Sequence, residues 1–234
     1  MNSISIIIPV LNEAKNIGAL LTYLDLNSSS KSISEILVVD GGSSDGTQAL
    51  ISEFSKIHPK VIGLKSPKGR AKQMNLGAAQ SKGTVLYFLH ADSIPPKNFD
   101  QYILNAIHTG SLTGCFKMKF DSNHWWLQLA GWFTQFNWKS CRGGDQSLFV
   151  EKKVFENLEG FNEDFVVYED NDLIYKLYKH CGFEVLPYWL TTSSRRYLDN
   201  GIWSLQFYFW VIHLKKFFGV TPKKLEAYYL KHIK

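Results

Sequence analysis

The first 107 residues alternate short apolar runs with segments of helical period: Ile4 to Val10 then Asn12 to Leu26, Ile36 to Val39 then Thr47 to Ile57, Val61 to Leu64 then Ala71 to Gln80, and Val85 to Leu89 then Pro96 to Ile107. The runs are rich in Val and Ile and almost continuous in apolar character, as parallel strands covered on both faces are. Strand-helix repetition of this kind predicts an α/β fold, a mostly parallel central sheet with helices on both faces. In the first helical segment Ile17, Leu20, Leu21 and Leu24 fall at i, i+3, i+4 and i+7, one stripe for packing on the sheet, and Asn12 is placed to cap that helix.

Sheets wound this way bind ligands outside the carboxyl ends of their strands. Polar residues stand at those ends: Asn12 and Glu13 after the first run, Asp40 to Gly46 after the second, His90, Asp92 and Ser93 after the fourth. Asp92, delivered to an edge by Val85 to Leu89, is a candidate metal ligand. Asp40 is read two ways, as a ligand-facing carboxylate or as part of the tight turn through Gly41 and Gly42, with Ser44 or Asp45 capping the next helix. The first turn, Pro9 to Glu13, lacks the G-x-G-x-x-G of a dinucleotide site, and no G-x-x-x-x-G-K-[ST] loop occurs anywhere.

Three further groups carry chemistry. Gly69 and Arg70, after Lys68, open a helix whose basic start suits an anion. Glu169 and Asp170 follow a strand-like Phe165 to Tyr168 and serve either as a helix cap or as a general base. Arg195 and Arg196 together suit a pyrophosphate, since forked guanidinium donors bind its oxygens in pairs.

Length and composition bound the rest. A chain of 234 residues that is 45% hydrophobic holds one large domain or two small ones around a substantial core. Cys115, Cys141 and Cys181 are widely spaced with no C-x-x-C pair, which reads as free thiols in a reducing compartment. The net charge of +5 is local: residues 215 to 234 hold six lysines against Glu226 alone, and the remainder has twenty basic and twenty acidic residues. A neutral body argues against nucleic acid as a partner. No run approaches the roughly 20 apolar residues of a spanning helix, and no basic, then apolar leader opens the chain, so the expected location is cytoplasmic. From about residue 112 the sequence becomes aromatic-rich, with Trp125, Trp126, Trp132 and Trp138 close together and a second run from Trp203 to Leu214. These aromatics read chiefly as core, with an acceptor site or a peripheral membrane patch backed by the lysine tail as the functional alternatives.

The ordered motifs resemble the family 2 glycosyltransferases of GT-A fold: Ile7 to Glu13, Val38 to Thr47, His90-Ala91-Asp92, Gly69 to Ala78, Gly144-Asp145-Gln146, Glu169-Asp170 and Ser194-Arg195-Arg196. Together with the ending Phe218 to Tyr228, they are similar to a short soluble subgroup labelled arsenosugar biosynthesis glycosyltransferase-like. The resemblance implies inverting transfer from a uridine or guanosine diphosphate sugar to an acceptor hydroxyl whose identity it leaves open, with Asp170 as base and Glu169 as the lesser choice. It implies donor contacts from Pro9, Asn12, Glu13, Asp40, Gly69, Arg70, His90, Ala91, Asp92, Gly144, Asp145, Arg195 and Arg196, and Mg²⁺ or Mn²⁺ at Asp92. His90 stands where many members carry the first aspartate of D-x-D, and Gly41 replaces a second carboxylate after strand two. A metal would then rest on one protein carboxylate plus substrate phosphates, as is common for magnesium, and histidine would tilt the preference towards manganese. On this reading residues 1–234 form a single domain: 1–110 the nucleotide-binding half, 111–200 the acceptor and catalytic half, 201–234 aromatic and basic helices. The rivals are a noncatalytic donor-binding scaffold and a nucleotidyltransferase, the second lacking the glycine-rich basic first loop it would need.

Overall fold

A computed structural model describes residues 2–233, so Lys234 of the lysine tail lies outside the described residues. Strands β1 (Ile4–Val10), β2 (Ile33–Asp40), β3 (Val61–Lys65) and β4 (Val85–Phe88) alternate with helices α1 (Ile17–Asn27), α2 (Thr47–Ile57) and α3 (Arg70–Gln80). After a two-residue β5 (Ser93–Ile94) come α4 (Phe99–His108), β6 (Thr113–Phe120), α5 (Trp125–Phe133), β7 (Leu148–Glu151) and α6 (Lys152–Asn157). The chain continues through α7 (Glu169–His180), β8 (Glu184–Thr192), α8 (Arg195–Asn200), α9 (Ile202–Phe217) and α10 (Pro222–His232).

All eight strands form one sheet in the order β3-β2-β1-β4-β7-β6-β8-β5. β1 pairs in parallel with β2 and β4, β2 with β3, and β6 with β8, whereas β7 runs antiparallel to both β4 and β6. The sheet therefore continues into the second half of the chain through β7, which inserts beside β4 although it is formed some sixty residues later.

Why the strands are apolar on both sides is visible in β1. Ile4, Ile6, Ile8 and Val10 face a core completed by α1, α2 and α4, while Ile7 faces a second core with Leu37, Val39, Leu86 and Phe88, covered by α3, α6 and α7. Burying both faces removes the polar alternation that a half-exposed strand shows. A third, smaller cluster joins Phe165 and Tyr168 to Leu205, Ile212, Leu225 and Ile233, tying the loop before α7 to the C-terminal helices.

Three local expectations fail. Asn12 does not cap α1, which starts at Ile17 after Asn16; Asn12 sits at φ 57° and accepts a hydrogen bond from the Ser44 N–H at 2.9 Å, joining the first turn to the second. Phe165 to Tyr168 is an irregular loop rather than a strand, its aromatic rings buried in the third cluster. The tryptophans are not chiefly core: Trp125 is 60% exposed, Trp138 55% and Trp210 54%. α5 is only nine residues long and buries just Leu127 and Gly131 among its positions, so its rings spread over the surface. Among the described residues no helix is long and apolar enough to cross a membrane.

Candidate active site

The site begins where β1, β2 and β4 end. Gln73, buried on α3, donates its amide to the carbonyls of Val10 at 2.8 Å and Val39 at 2.7 Å, clamping the ends of β1 and β2 together. Its amide fills the space above Gly41, where a Cβ would lie 3.0 Å from it. Asp40 then turns inward. Its carboxylate accepts from the N–H groups of Gly42 and Ser43, from the Ser43 hydroxyl and from Gln48 Nε2 at 2.7 Å. The structure thus builds the turn reading of Asp40. Asp45 accepts from the Thr47 N–H at 3.1 Å at the start of α2.

Across from this loop, Glu13 accepts from Asn16 at 2.6 Å and from Arg195 at 3.0 Å, a contact spanning almost the whole chain. Asp92 lies just beyond β4, held because β5 pairs with the end of β8 and the Ser193 N–H donates to the Asp92 carbonyl at 3.1 Å. Burial pushes the Asp92 carboxyl up to about 6, and the negative charges of Asp145 and Glu13 push the same way against Arg195. His90 Nδ1 lies 3.7 Å from Asp145 Oδ1, beyond hydrogen-bond length. Burial first, and then Arg70, hold the imidazole down to about 4, hence neutral at pH 7.

The second half of the chain supplies the opposite wall. The turn at residues 143–146, preceding β7, is fixed by Arg142, which is 4% exposed and donates to the carbonyls of Thr134 (2.5 Å) and Phe136 (2.6 Å) and to Gln146 Oε1 (2.8 Å). Asn171 donates to the Arg142 carbonyl at 2.9 Å, so α7 is bolted to this turn. That contact brings Asp170 against Gly144 so closely that a Cβ on Gly144 would lie 2.0 Å from Asp170 Oδ2. Glu169 is fully buried and bound to Arg70 Nε, whereas Arg70 Nη2 lies 3.8 Å from Asp170 Oδ2. Asp170 lines a cleft of about 760 Å³ with Arg70, Asp145, Tyr168, Arg196 and Trp210 among its walls. Burial raises its carboxyl to about 7; Arg70 opposes the shift, and Glu169 and Asp145 add to it.

The family model for glycosyl transferase family 2 matches residues 5–155. The chain belongs to this family. Glycosyltransferase AglE of Haloferax volcanii is 36% identical over 113 residues, 47% of this chain and 36% of that relative. Probable glycosyltransferase YdaM of Bacillus subtilis is 26% identical over 204 residues, 78% of this chain and 48% of YdaM. The chain thus spans about half or less of the lengths of these curated relatives. Among solved structures, mannosyltransferase PcManGT from Pyrobaculum calidifontis, in complex with GDP-Man and Mn²⁺, superimposes with a TM-score of 0.64 at 17% identity over 81% of this chain and 56% of that one. S. aureus TarS 1-349 in complex with UDP gives 0.64 at 18% identity, over 82% and 60% of the two chains. These likenesses establish the GT-A fold, with its mixed, mostly parallel sheet.

Within this member of glycosyl transferase family 2 the expected residues gather in two groups. Glu13, His90, Asp92, Asp145 and Arg195 lie on the side of β1 and β4; Arg70, Gly144, Asp170 and Arg196 line the cleft; and Asp145 belongs to both. Two cations are already partnered. Arg195 pairs with Glu13, whereas the Arg196 guanidinium stacks over Phe209 at 5.7 Å and Tyr229 at 5.2 Å. Arg70 does not present a free cation at the start of α3, because Glu169 and Asp170 engage it. Residue patterning alone singled out neither Gln73 nor Arg142 for their clamping roles; a glutamine on an otherwise apolar helix face was the available signal for the first.

The residues around Asp92 fit a divalent cation. The negative charges of Asp145 and Glu13 act on the Asp92 carboxylate against the positive charge of Arg195, and carboxylate oxygens suit Mg²⁺ and Mn²⁺. Among the described residues no three His, Cys, Asp or Glu groups converge, so a bound substrate would have to supply the remaining oxygens.

Proposed function

We propose that residues 1–234 act as one catalytic domain, an inverting glycosyltransferase that moves a hexose from a uridine or guanosine diphosphate donor to an acceptor hydroxyl. The observation that carries this reading is Asp170, a carboxylate with a raised pKa lining the cleft next to Arg70 and Arg196. Support for the donor class comes from the family match and from the ligands named for the neighbours, GDP-Man with Mn²⁺ in one and UDP in another.

The acceptor hydroxyl enters the cleft and its oxygen attacks the anomeric carbon from the face opposite the diphosphate. As that bond forms, the hydroxyl proton passes to Asp170, the bond from the anomeric carbon to the diphosphate breaks, and the nucleoside diphosphate leaves with the electron pair. A base poised near neutral pH balances availability against proton affinity. Arg196 has no carboxylate within 4.0 Å among the described residues and is held by its aromatic neighbours, so its charge is available to the departing diphosphate. Arg195 does the same from the other side by exchanging Glu13 for phosphate. Glu169 positions Arg70, and Gly144 gives Asp170 its place. The nucleoside lies over the ends of β1 and β2, against the backbone at Pro9 and Asn12, the turn set by Asp40, and the Gly69 and Ala91 backbone. Asp92 would hold Mg²⁺ or Mn²⁺, which when bound offsets diphosphate charge.

The test needs no known acceptor. UDP- and GDP-sugars are screened by thermal shift with and without Mn²⁺, since a ligand at 100 times its Kd stabilises by about 2.7 kcal/mol. Release of nucleoside diphosphate to water is then followed for the donor that binds. Asp170→Asn is expected to keep the thermal shift and slow release by about 10²- to 10⁴-fold; wild-type turnover in that variant would sink the assignment.

A further inference from the structure

Along α9, Trp203, Phe207, Trp210, Leu214 and Phe217 recur at i, i+4, i+7, i+11 and i+14, which places them on one helix face. The opposite face is already used, with Leu205 and Ile212 buried in the third cluster. The stripe itself is open: Phe207 is 56% exposed, Leu214 57% and Phe217 83%, and Phe218 beyond it is 73% exposed. It runs for about 21 Å at 1.5 Å per residue. Trp125 on α5, its ring 5.7 Å from that of Trp203, widens it at one end. A contiguous apolar surface of this kind marks an interface rather than ordinary solvent-facing side chains.

Charge decides what covers it. Towards the other end of the stripe, Lys215 and Lys216 lie to its sides, over the rings of Tyr228 and Phe165, and the first turn of α10 adds the exposed Lys223 and Lys224. The chain's whole excess of positive charge lies in residues 215–234. A second copy of the chain meeting this face brings no carboxylate on α9 to pair with these lysines. A bilayer with anionic headgroups accepts both features at once, the rings at the boundary of headgroup and acyl chain and the lysines at the phosphates.

We infer that the α9 stripe and the lysines at the start of α10 dock this protein on an anionic membrane surface. Trp210 and Phe217 also line the Asp170 cleft, so docking sets the cleft mouth at the lipid boundary; this last point rests on the proposed function, whereas the docking itself does not. The full chain is floated with vesicles of phosphatidylcholine alone or mixed with phosphatidylserine, at low and high salt. Flotation is expected with the anionic vesicles at low salt and not with phosphatidylcholine alone. Phe207→Glu with Leu214→Glu, neither of which lines the cleft, and separately Lys223→Glu with Lys224→Glu, should each reduce binding about tenfold or more. Both double variants should keep the wild-type melting temperature and its shift with UDP or GDP, which separates a failure of docking from a failure of the enzymatic reading. Absence of wild-type flotation with anionic vesicles at low salt would overturn the inference. So would a dimer, seen by light scattering, that Phe207→Glu abolishes.

Discussion

At the scale of single residues, the proposed chemistry rests on two carboxylates that stand out differently. Asp92 stands out just past an apolar strand, and Asp170 in the acidic pair that opens α7. Arg195 and Arg196 leave α8 about 100° apart, so in this structure they meet different partners, Glu13 for the first and the rings of Phe209 and Tyr229 for the second. Gly144 gives the sharpest test of the proposed base: a Cβ there would lie 2.0 Å from Asp170 Oδ2 and must displace that carboxylate. Gly144→Ala should therefore lower turnover about 100-fold, the cost of misplacing a reacting group by an ångström, with little change in the KM for the donor. Steady-state kinetics on the donor-release reaction would show it.

Asp170 also ties activity to stability. Its carboxyl titrates near 7 when folded and near 4 when unfolded, so the folded state binds the proton more tightly. Its contribution to stability is complete below about pH 4 and is lost as pH rises through 7. An asparagine lacks that dependence. The melting temperature of Asp170→Asn minus that of the wild type should grow from pH 4 to pH 7 and then level off. A difference independent of pH would show that the carboxyl is not strained by burial.

At the scale of elements, the strand-helix alternation was readable through β4 because each strand is buried on both faces and each helix keeps its apolar stripe. The Phe165 to Tyr168 loop was not, since a short apolar run looks the same in a buried loop as in a strand. Nor could the pattern show that the turn before β7 hangs on one buried guanidinium. Arg142 spends its donors on two carbonyls of the α5–β7 connection and on Gln146, and accepts α7 through Asn171. Arg142→Met keeps the length and removes the donors. The loss should be about 3 kcal/mol, the upper range for a hydrogen bond to a charged group plus stranded carbonyls, read as a lower urea midpoint. The acceptor-side wall should loosen while the nucleotide-induced thermal shift stays intact, since Gln73 holds the β1 and β2 ends independently.

At the scale of the whole molecule, two large cores support the sheet and a small one supports the loop that carries Asp170. The loop that delivers Asp170 is packed by Phe165 and Tyr168 into the cluster with Leu205, Ile212, Leu225 and Ile233, so α9 and α10 support the cleft through a core separate from those of the sheet. Such long-range support has no signature in local periodicity, which is why the C-terminal helices read only as aromatic and basic. Leu225 is fully buried at the centre of this cluster. Truncating it to alanine should cost about 2–5 kcal/mol if opening were global. Because the small cluster can open by itself, the loss should instead be local: hydrogen exchange should speed up for amides 165–170 and along α10, while those of β1, β2 and β4 keep their protection. Turnover should fall with the loosened base, and donor binding should not. Uniformly faster exchange across the sheet would show that the C-terminal helices and the donor site unfold as one unit, and that the separation between the two supports is wrong.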